Sequence, residues 1–366
     1  MSLHEKVVLV SGQYATVCSG PGTFTNYIVG KYFSSGALDL FTEDVKSDEA
    51  NVFKLKVPRI ILLNSRVIKG FFYYRQIKAY CKKNNIHTVV YNTSSLIPFY
   101  HGLFKPKQLK LYVMINDANY IYYYKGIRSM TLYRFIERRV IQYADKVITN
   151  SKYIITMLSK HYGVSKDKMQ LMYKGIDLSE FPYTEHRKNF TDRIKILFVK
   201  TEYKRGGLLE LLTALKGIEY DVELNVVGPR EDKIPVIKKF AARIGFDKPL
   251  NFLGRITRKD LPAVYAANDI LCVPSRSEAL GVVFLEGLSS GLAVIGTNTG
   301  GIPEVTDDGN AGWLVKVNNP ADLRNTILEV ITNVSARQQK IEHGRQFVQK
   351  FSLNNLYESF ENVVNG

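Results

Sequence analysis

Short apolar runs alternate with amphipathic stretches along the whole chain. In the first half the runs fall at residues 7–10, 60–63, 88–91, 111–115 and 146–149; in the second they fall at 194–199, 222–227, 270–273 and 292–295. Each is rich in β-branched residues and bounded by polar residues or Gly, the pattern of strands covered on both faces of a parallel sheet. Between them, residues 128–143, 151–161, 207–216, 233–245, 281–290, 320–332 and 335–350 carry helical periodicity. Strand–helix alternation on this scale predicts an α/β fold, doubly wound. The pattern pauses over 177–193, a polar, aromatic and charged stretch containing Pro182, and restarts at Ile194. That pause reads as a linker, 178–193, between two Rossmann-like domains, 1–177 and 194–350. Residues 351–366 read as a C-terminal helix that could pack back on the first domain. Two such domains are expected to turn the carboxyl ends of their strands toward a shared cleft, where open α/β sheets bind ligands.

Composition narrows this picture. With 366 residues and 45% hydrophobic positions the chain can fill two cores, and wholesale disorder is excluded. Cys18, Cys81 and Cys272 lack metal-ligand spacing and cannot all pair, so a reducing, cytoplasmic setting is expected. The apolar run at 7–10 is too short for a secretory signal, and no stretch approaches the ~18 apolar residues of a membrane span. The formal charge of +16 is lopsided: residues 1–180 hold 26 Lys and Arg against 12 Asp and Glu, leaving the second half nearly neutral. A cationic first half suits an anionic membrane, an acidic acceptor or nucleic acid, and equally a solvated basic surface.

The second half carries the chemistry. After the run ending at Val273 comes Pro274-Ser-Arg-Ser-Glu278-Ala-Leu-Gly281-Val282-Val283-Phe-Leu-Glu286, a loop and then a helix opening near Gly281. The first turn of such a helix presents unpaired N–H groups and the positive end of its dipole, which suits a phosphate. Glu286 lies about a turn and a half, ~7.5 Å, further along the axis, where it could accept hydrogen bonds from sugar hydroxyls. Glu278 lies in the loop on the other side of the phosphate. Two Glu eight residues apart are more often only dipole partners, but Thr297-Asn-Thr-Gly300-Gly301-Ile-Pro303-Glu304 follows the next strand. Gly300 and Gly301 are expected to let the backbone approach a ligand closely.

From Asn251-Phe-Leu-Gly254-Arg255 through Glu278-x7-Glu286, Gly300-Gly301-Ile302-Pro303-Glu304 and Gly312-Trp313-Leu314-Val315, the chain resembles the C-terminal domain of glycosyltransferase family 4. The resemblance implies the GT-B fold, two Rossmann-like domains facing a central cleft, with 1–177 binding acceptor and 194–350 binding a nucleotide sugar. It implies a retaining enzyme that moves a hexose-type sugar from a UDP- or GDP-linked donor to a glycan or lipid-linked acceptor. Glu286 would hold the ribose, Glu278 the donor sugar, and the N–H groups of Gly281, Val282 and Val283 the distal phosphate. The loops at Gly228 and Gly254-Arg255-Ile256 would border the base. In the family a basic pair meets the diphosphate from a loop reading like Gly-Arg…Lys-Gly; here Lys200 and Thr201 stand at the Gly and Arg positions, and Lys200 is counted among the residues expected to bind the donor. Lys204 and Arg205 become the candidates for that pair, the rival being a solvated loop cation.

The resemblance is looser over residues 1–180. Gly20-Pro21-Gly22-Thr23 matches the position of the family's loop that closes over phosphates and acceptor, and reads equally as a plain strand-to-helix turn. Where the family commonly has His-Asp after the strand at 111–115, this chain has Asn116-Asp117. Asn hydrogen-bonds but does not titrate near neutrality, so an acid/base role there is doubtful. His101 could replace the missing His, although a lone His is more often structural. Retention implies front-face transfer or a double displacement through a carboxylate. No cofactor and no metal is expected, since no Asp-x-Asp occurs and cations with a helix dipole would serve instead. Residues 66–83 hold six cations and no acid among aromatics, and Asn119-Tyr-Ile-Tyr-Tyr-Tyr-Lys125 adds a second patch. Both suit the cytoplasmic face of an anionic membrane, though 66–83 also reads as an ordinary Rossmann helix. The alternatives are a nucleotide-sugar epimerase or phosphorylase of the same fold, or more remotely a nucleic-acid binder, for which no motif is present.

Overall fold

The computed structural model describes every residue except 1–2, 13, 15–19, 44–50, 58–65, 93–95, 105, 118–127, 186–189 and 191; at 20–21, 66 and 128–131 it describes the backbone alone. The chain forms two compact units, Met1–Gly175 together with Leu353–Gly366, and Ile176–Ser352.

The first unit runs β1 (Val7–Ser11), α1 (Gly20–Tyr32), β2 (Leu38–Thr42), β3 (Val52–Lys54), α2 (Arg66–Lys83), β4 (Thr88–Tyr91), α3 (Leu96–Phe104), β5 (Lys110–Ile115), α4 (Arg128–Tyr143), β6 (Lys146–Thr149), α5 (Lys152–Tyr162) and β7 (Met169–Leu171). Its sheet is parallel, in the order β3-β2-β1-β4-β5-β6-β7. β1, β2 and β4 are buried along their whole length, as parallel strands covered on both faces must be. β2 is not anticipated by the apolar pattern because Asp39 interrupts it; the structure buries that carboxylate against the Tyr80 hydroxyl at 2.8 Å and Lys6 Nζ at 3.0 Å. α5 is bounded as its sequence dictates, by Ser151 Oγ accepting from the Ile154 N–H and by Gly163 in the left-handed conformation.

The second unit runs β8 (Ile194–Val199), α6 (Leu208–Leu215), β9 (Val222–Val227), α7 (Ile234–Ile244), β10 (Leu250–Gly254), α8 (Leu261–Ala266), β11 (Ile270–Cys272), α9 (Val282–Ser290), β12 (Ala293–Thr297), α10 (Ile302–Val305), β13 (Trp313–Val315), α11 (Pro320–Thr332) and α12 (Val334–Phe347). Its sheet is also parallel, in the order β10-β9-β8-β11-β12-β13. Ile176 and Ser352 pair as an isolated parallel bridge, so the two ends of this unit lie side by side.

The chain then returns to the first unit as α13 (Leu353–Asn365). Leu356, Phe360, Val363 and Val364 enter the same core as Phe24, Ile28 and Tyr32 of α1. Phe24 meets Phe360 edge-on at 6.4 Å, the Tyr32 hydroxyl donates to Glu361 Oε1 at 2.8 Å, and Lys146 Nζ donates to the Val363 carbonyl at 3.0 Å.

The run at 60–63 and the aromatic-basic patch at 119–125 lie outside the described residues. Apart from β2, the strands that the pattern did not mark are short, as in β3, β7 and β13, or alternate half-buried with exposed, as in β10.

Candidate functional site

In each sheet the strand order reverses once, and the crevice beyond the carboxyl ends of the two strands at that point is where α/β sheets bind ligands. In the second unit those strands are β8 and β11. β8 leads into the loop 200–207 and β11 into the loop 274–281, and the two loops are laced together. Arg276 N–H donates to the Arg205 carbonyl at 2.8 Å, and Arg205 Nε donates to the Ser277 carbonyl at 3.1 Å. Gly207 is required for this approach: its φ is +78°, and a Cβ there would fall 2.1 Å from the Pro274 carbonyl oxygen.

The carboxylate of Glu278 forms an ion pair with Lys200 Nζ, both side chains being mostly buried. Glu278 Cγ also lies 3.3 Å from where a Cβ would stand at Gly281, the residue that opens α9. A carboxylate, an ammonium and a helix N-terminus therefore converge at the sheet's switch point. Of the expected diphosphate pair, Arg205 is tied to Ser277, and Lys204 is exposed with Nζ 6.0 Å from the Tyr203 ring. Lys200, placed by its register where the family has Gly, is the cation that reaches Glu278.

Glu286 has the opposite environment. It sits on α9 with 3% of its surface exposed; Oε1 accepts from Arg258 at 2.6 Å and Oε2 from the Tyr265 hydroxyl at 2.8 Å. Burial raises its carboxyl above the usual range, and the Arg258 charge and both hydrogen bonds oppose that rise. Burial also pushes the Tyr265 phenol well up, so it remains a donor. Arg258 is itself held by Glu180 at 2.8 Å and lies 4.7 Å over the Phe181 ring. An ionised carboxylate offers about four acceptor positions, of which these contacts use two, so hydroxyl donors could still add to it. Arg258, Tyr265 and Glu180 belong to no motif. The signal for them is physical: a Glu inside an apolar helix needs a counter-charge and a hydrogen-bond donor, but sequence does not say which residues supply them.

Gly228 follows β9 at φ +110°, its N–H donating to the Gly254 carbonyl at 2.8 Å, so the two loops expected around the base are neighbours. Among the described residues, chain neighbours aside, no heavy atom lies within 4 Å of a Cβ built on Gly254; Arg255 is exposed and Ile256 half-buried. Val282 and Val283 stand half-buried in the first turn of α9.

Gly300 and Gly301 stand against the loop that carries Glu278. A Cβ at Gly300 would fall 1.9 Å from the Glu278 carbonyl oxygen, and one at Gly301 would fall 2.3 Å from that of Ala279. The close approach they permit is to the loop carrying Glu278, which the Gly301 N–H also bonds at 3.0 Å.

At the first unit's switch point, between β1 and β4, a chain of uncharged side chains gathers. Thr25 donates to Ser11 Oγ at 2.9 Å, Asn92 Nδ2 to Thr25 Oγ1 at 3.1 Å, Asn116 Nδ2 to Asn92 Oδ1 at 2.7 Å, and Asn150 Nδ2 to the Asn116 carbonyl at 3.1 Å. Asn116 Oδ1 and Asn150 Oδ1 are buried with no hydrogen-bond partner among the described residues. The segment expected as a Gly-rich loop is instead the first turn of α1, with Gly20, Gly22 and Thr23 all helical. Pro21 tolerates that position because the first helical turn needs no N–H from it.

His101 does not stand in for the missing His. It lies on α3 beside Leu109, at the start of β5, whereas Asn116 follows that strand's far end. Its ring bonds the Leu109 carbonyl and the Tyr91 hydroxyl, and burial lowers its pKa to about 4. It also borders a cavity of about 280 Å³ lined by Lys107, Lys110, Tyr143 and Asp145.

Comparison with known proteins bears on the family and the fold. Residues 37–180 match the model of the family described as Glycosyltransferase Family 4, and residues 183–347 match that of Glycosyl transferases group 1. The chain is 34% identical over 211 residues to an uncharacterized glycosyltransferase of Methanocaldococcus jannaschii, covering 57% of this chain and 56% of that one. It is 26% identical over 253 residues to a D-inositol 3-phosphate glycosyltransferase of Corynebacterium kroppenstedtii, covering 63% and 56%. The match thus spans little more than half the length of these curated relatives. Among solved structures, sucrose-phosphate synthase from Thermosynechococcus elongatus superposes with a TM-score of 0.80 at 18% identity, over 98% of both chains. The HepE protein of Anabaena, solved with UDP-glucose, gives 0.80 at 15% identity over 98% of this chain and 99% of that one. At such identities these likenesses establish the fold, two Rossmann-like units of the GT-B type.

Proposed function

From the premise that this chain belongs to the glycosyltransferases, with a family 4 domain followed by a group 1 domain, we propose that it transfers a hexose with retention from a UDP- or GDP-linked donor to a glycan or lipid-linked acceptor. The observation that carries this reading is the helix α9, which opens at Gly281 between two carboxylates in contrasting settings. Glu278 stands at its tip beside a cation, and Glu286 is buried within it on a tyrosine and an arginine. The helix amides suit the distal phosphate, Glu286 the ribose hydroxyls, and Glu278 the sugar, with the Gly228 and Gly254 loops beside the base.

In the proposed step the bond from the anomeric carbon to the phosphate oxygen breaks, its electron pair staying on that oxygen. The acceptor hydroxyl forms its bond to the same face of the carbon, and its proton passes to the departing oxygen. Fixed cations and helix amides offset the negative charge that grows there, so the reading requires neither cofactor nor metal. Asn116 can position the sugar by hydrogen bonds, but a neutral amide does not serve as a base.

Thermal unfolding with UDP, GDP and their hexose conjugates tests the assignment, because a ligand that binds only the folded state raises Tm. A rise of several degrees with one of them, lost in Glu286→Ala without loss of the fold, is the expected result. Absence of any rise in the wild-type chain would refute it.

A lipid-linked acceptor at an anionic cytoplasmic membrane face has separate support. No helix among the described residues is long and apolar enough to cross a membrane. On α2, however, Arg75, Lys78, Lys82 and Lys83 are exposed, and the neighbouring helices α3 and α4 leave Leu103, Phe104, Leu132 and Phe135 about half exposed. Each cation near such a surface contributes about 1 kcal/mol. Co-sedimentation with phosphatidylglycerol vesicles should occur at low salt and be lost in Phe104→Glu/Phe135→Glu; no binding at low salt refutes membrane docking.

A further inference from the structure

Among the cations beside the donor site, one follows directly on a strand of the sheet. We propose that Lys200 supplies the positive charge met by the departing diphosphate, the part expected of Lys204 and Arg205; the inference rests on the donor reading above. Lys200 is the first residue after β8, and its N–H donates to the Val227 carbonyl at 3.0 Å. Its backbone passes so close to Gly228 that a Cβ there would stand 2.7 Å from the Lys200 carbonyl carbon. Gly206 makes room for the side chain: a Cβ at that position would lie 2.9 Å from both Cβ and Cγ of Lys200 and 2.6 Å from Phe198 Cζ. One glycine thus admits the lysine's backbone and the other its stem, and its ammonium ends on Glu278, beside the tip of α9.

This placement solves an electrostatic problem. An unpaired carboxylate at the helix tip would repel a diphosphate, and Lys200 cancels that charge before the donor arrives. As the glycosidic bond breaks and charge collects on the phosphate oxygen, the ammonium can share its remaining N–H donors with that oxygen. Such charge-assisted hydrogen bonds are about twice as strong as neutral ones. Arg205, whose Nε bonds Ser277, and Lys204, exposed over Tyr203, are not steered in this way.

The test is calorimetric, on the full chain, with UDP and UMP and with GDP, ADP, CDP and dTDP against their monophosphates. The wild-type chain is expected to bind at least one diphosphate more tightly than its monophosphate. Lys200→Met should shrink that preference about tenfold, Lys200→Arg should keep it within threefold, and Lys195→Met, which removes an exposed charge from the same strand, should leave it unchanged. Gly206→Ala, which crowds the lysine stem, should reproduce part of the loss and decides the matter if Lys200→Met does not fold. Glu286→Ala addresses the ribose and should weaken mono- and diphosphate alike. A preference that survives both Lys200→Met and Gly206→Ala, with Glu286→Ala weakened, overturns the role of Lys200 and leaves the donor site standing. No binding by the wild-type chain, or none lost in Glu286→Ala, overturns the donor site and this inference with it.

Discussion

The two sheets reverse strand order at equivalent places, yet they gather different kinds of side chain there. Between β1 and β4 the first unit collects Ser11, Thr25, Asn92, Asn116 and Asn150, hydroxyls and amides that carry no charge near neutral pH. Beside β8 and β11 the second unit collects Lys200 with Glu278, and Glu286 with Arg258 and Glu180. One fold thus supports two solutions for a polar crevice. Amides and hydroxyls can exchange partners for hydroxyl-rich ligands at little electrostatic cost. Ion pairs fix geometry and bring dependence on pH, which suits a ligand that is itself charged.

Substitutions should expose this contrast. The largest effect is expected from Gly300→Ala, because the new Cβ would collide with the Glu278 carbonyl at a residue whose φ is +63°. The Glu278 loop must move, and a misplacement of about 1 Å can lower turnover about a hundredfold. Turnover falling that far, with nucleotide affinity nearly kept, is the expected outcome of steady-state kinetics against calorimetry.

Arg258→Met should come next. Breaking a fully buried ion pair costs about 3–5 kcal/mol; since a quarter of the Arg258 side chain is exposed, about 2–3 kcal/mol is expected. Burial already raises the Glu286 carboxyl, and without Arg258 it should rise further. The folded state then holds a proton that the unfolded chain has released, so stability declines as pH rises through that window. Urea unfolding from pH 4 to 8 should therefore show a steeper fall than in the wild type, while the acid limit of nucleotide binding moves to higher pH.

The smallest of the three is Asn116→Asp, which sets a carboxylate against Asn92 Oδ1 where an N–H donor stood. The lost bond and facing acceptors should cost about 1–3 kcal/mol at neutral pH. A carboxyl in that setting titrates above the usual range, so the deficit should shrink on acidification, giving the first unit a pH dependence that its amide network lacks. An unchanged pH profile would mean that this crevice is wetter than its burial indicates.

How much of this was legible in the sequence follows the same division. The Glu278-x7-Glu286 spacing, Gly281 and the helix between Val273 and Gly291 could be read directly, because loop, helix and strand are consecutive in the chain. The partners of those carboxylates could not, since Lys200 lies 78 residues from Glu278 and Arg258 lies 28 from Glu286. Charge pairing across a sheet leaves no periodicity. Gly300 and Gly301 were legible as tight positions but not for their neighbour, because close approach to a loop and to a ligand make the same demand on a residue. In the first unit β2 was hidden by Asp39, whose burial becomes reasonable only with Tyr80 and Lys6 in place. The amide cluster was hidden because Ser, Thr and Asn are common wherever strands end.

The helix Leu353–Asn365 has a consequence for biosynthesis. Phe24, Ile28 and Tyr32 leave the ribosome early, but the aromatic and aliphatic side chains that cover them are made more than three hundred residues later. The middle unit, whose ends are already joined at Ile176 and Ser352, can mature while the earlier one still waits for its seal. The order of translation and the order of completion are therefore reversed, and a nascent chain stalled before Leu353 should expose an incomplete α1 face to chaperones.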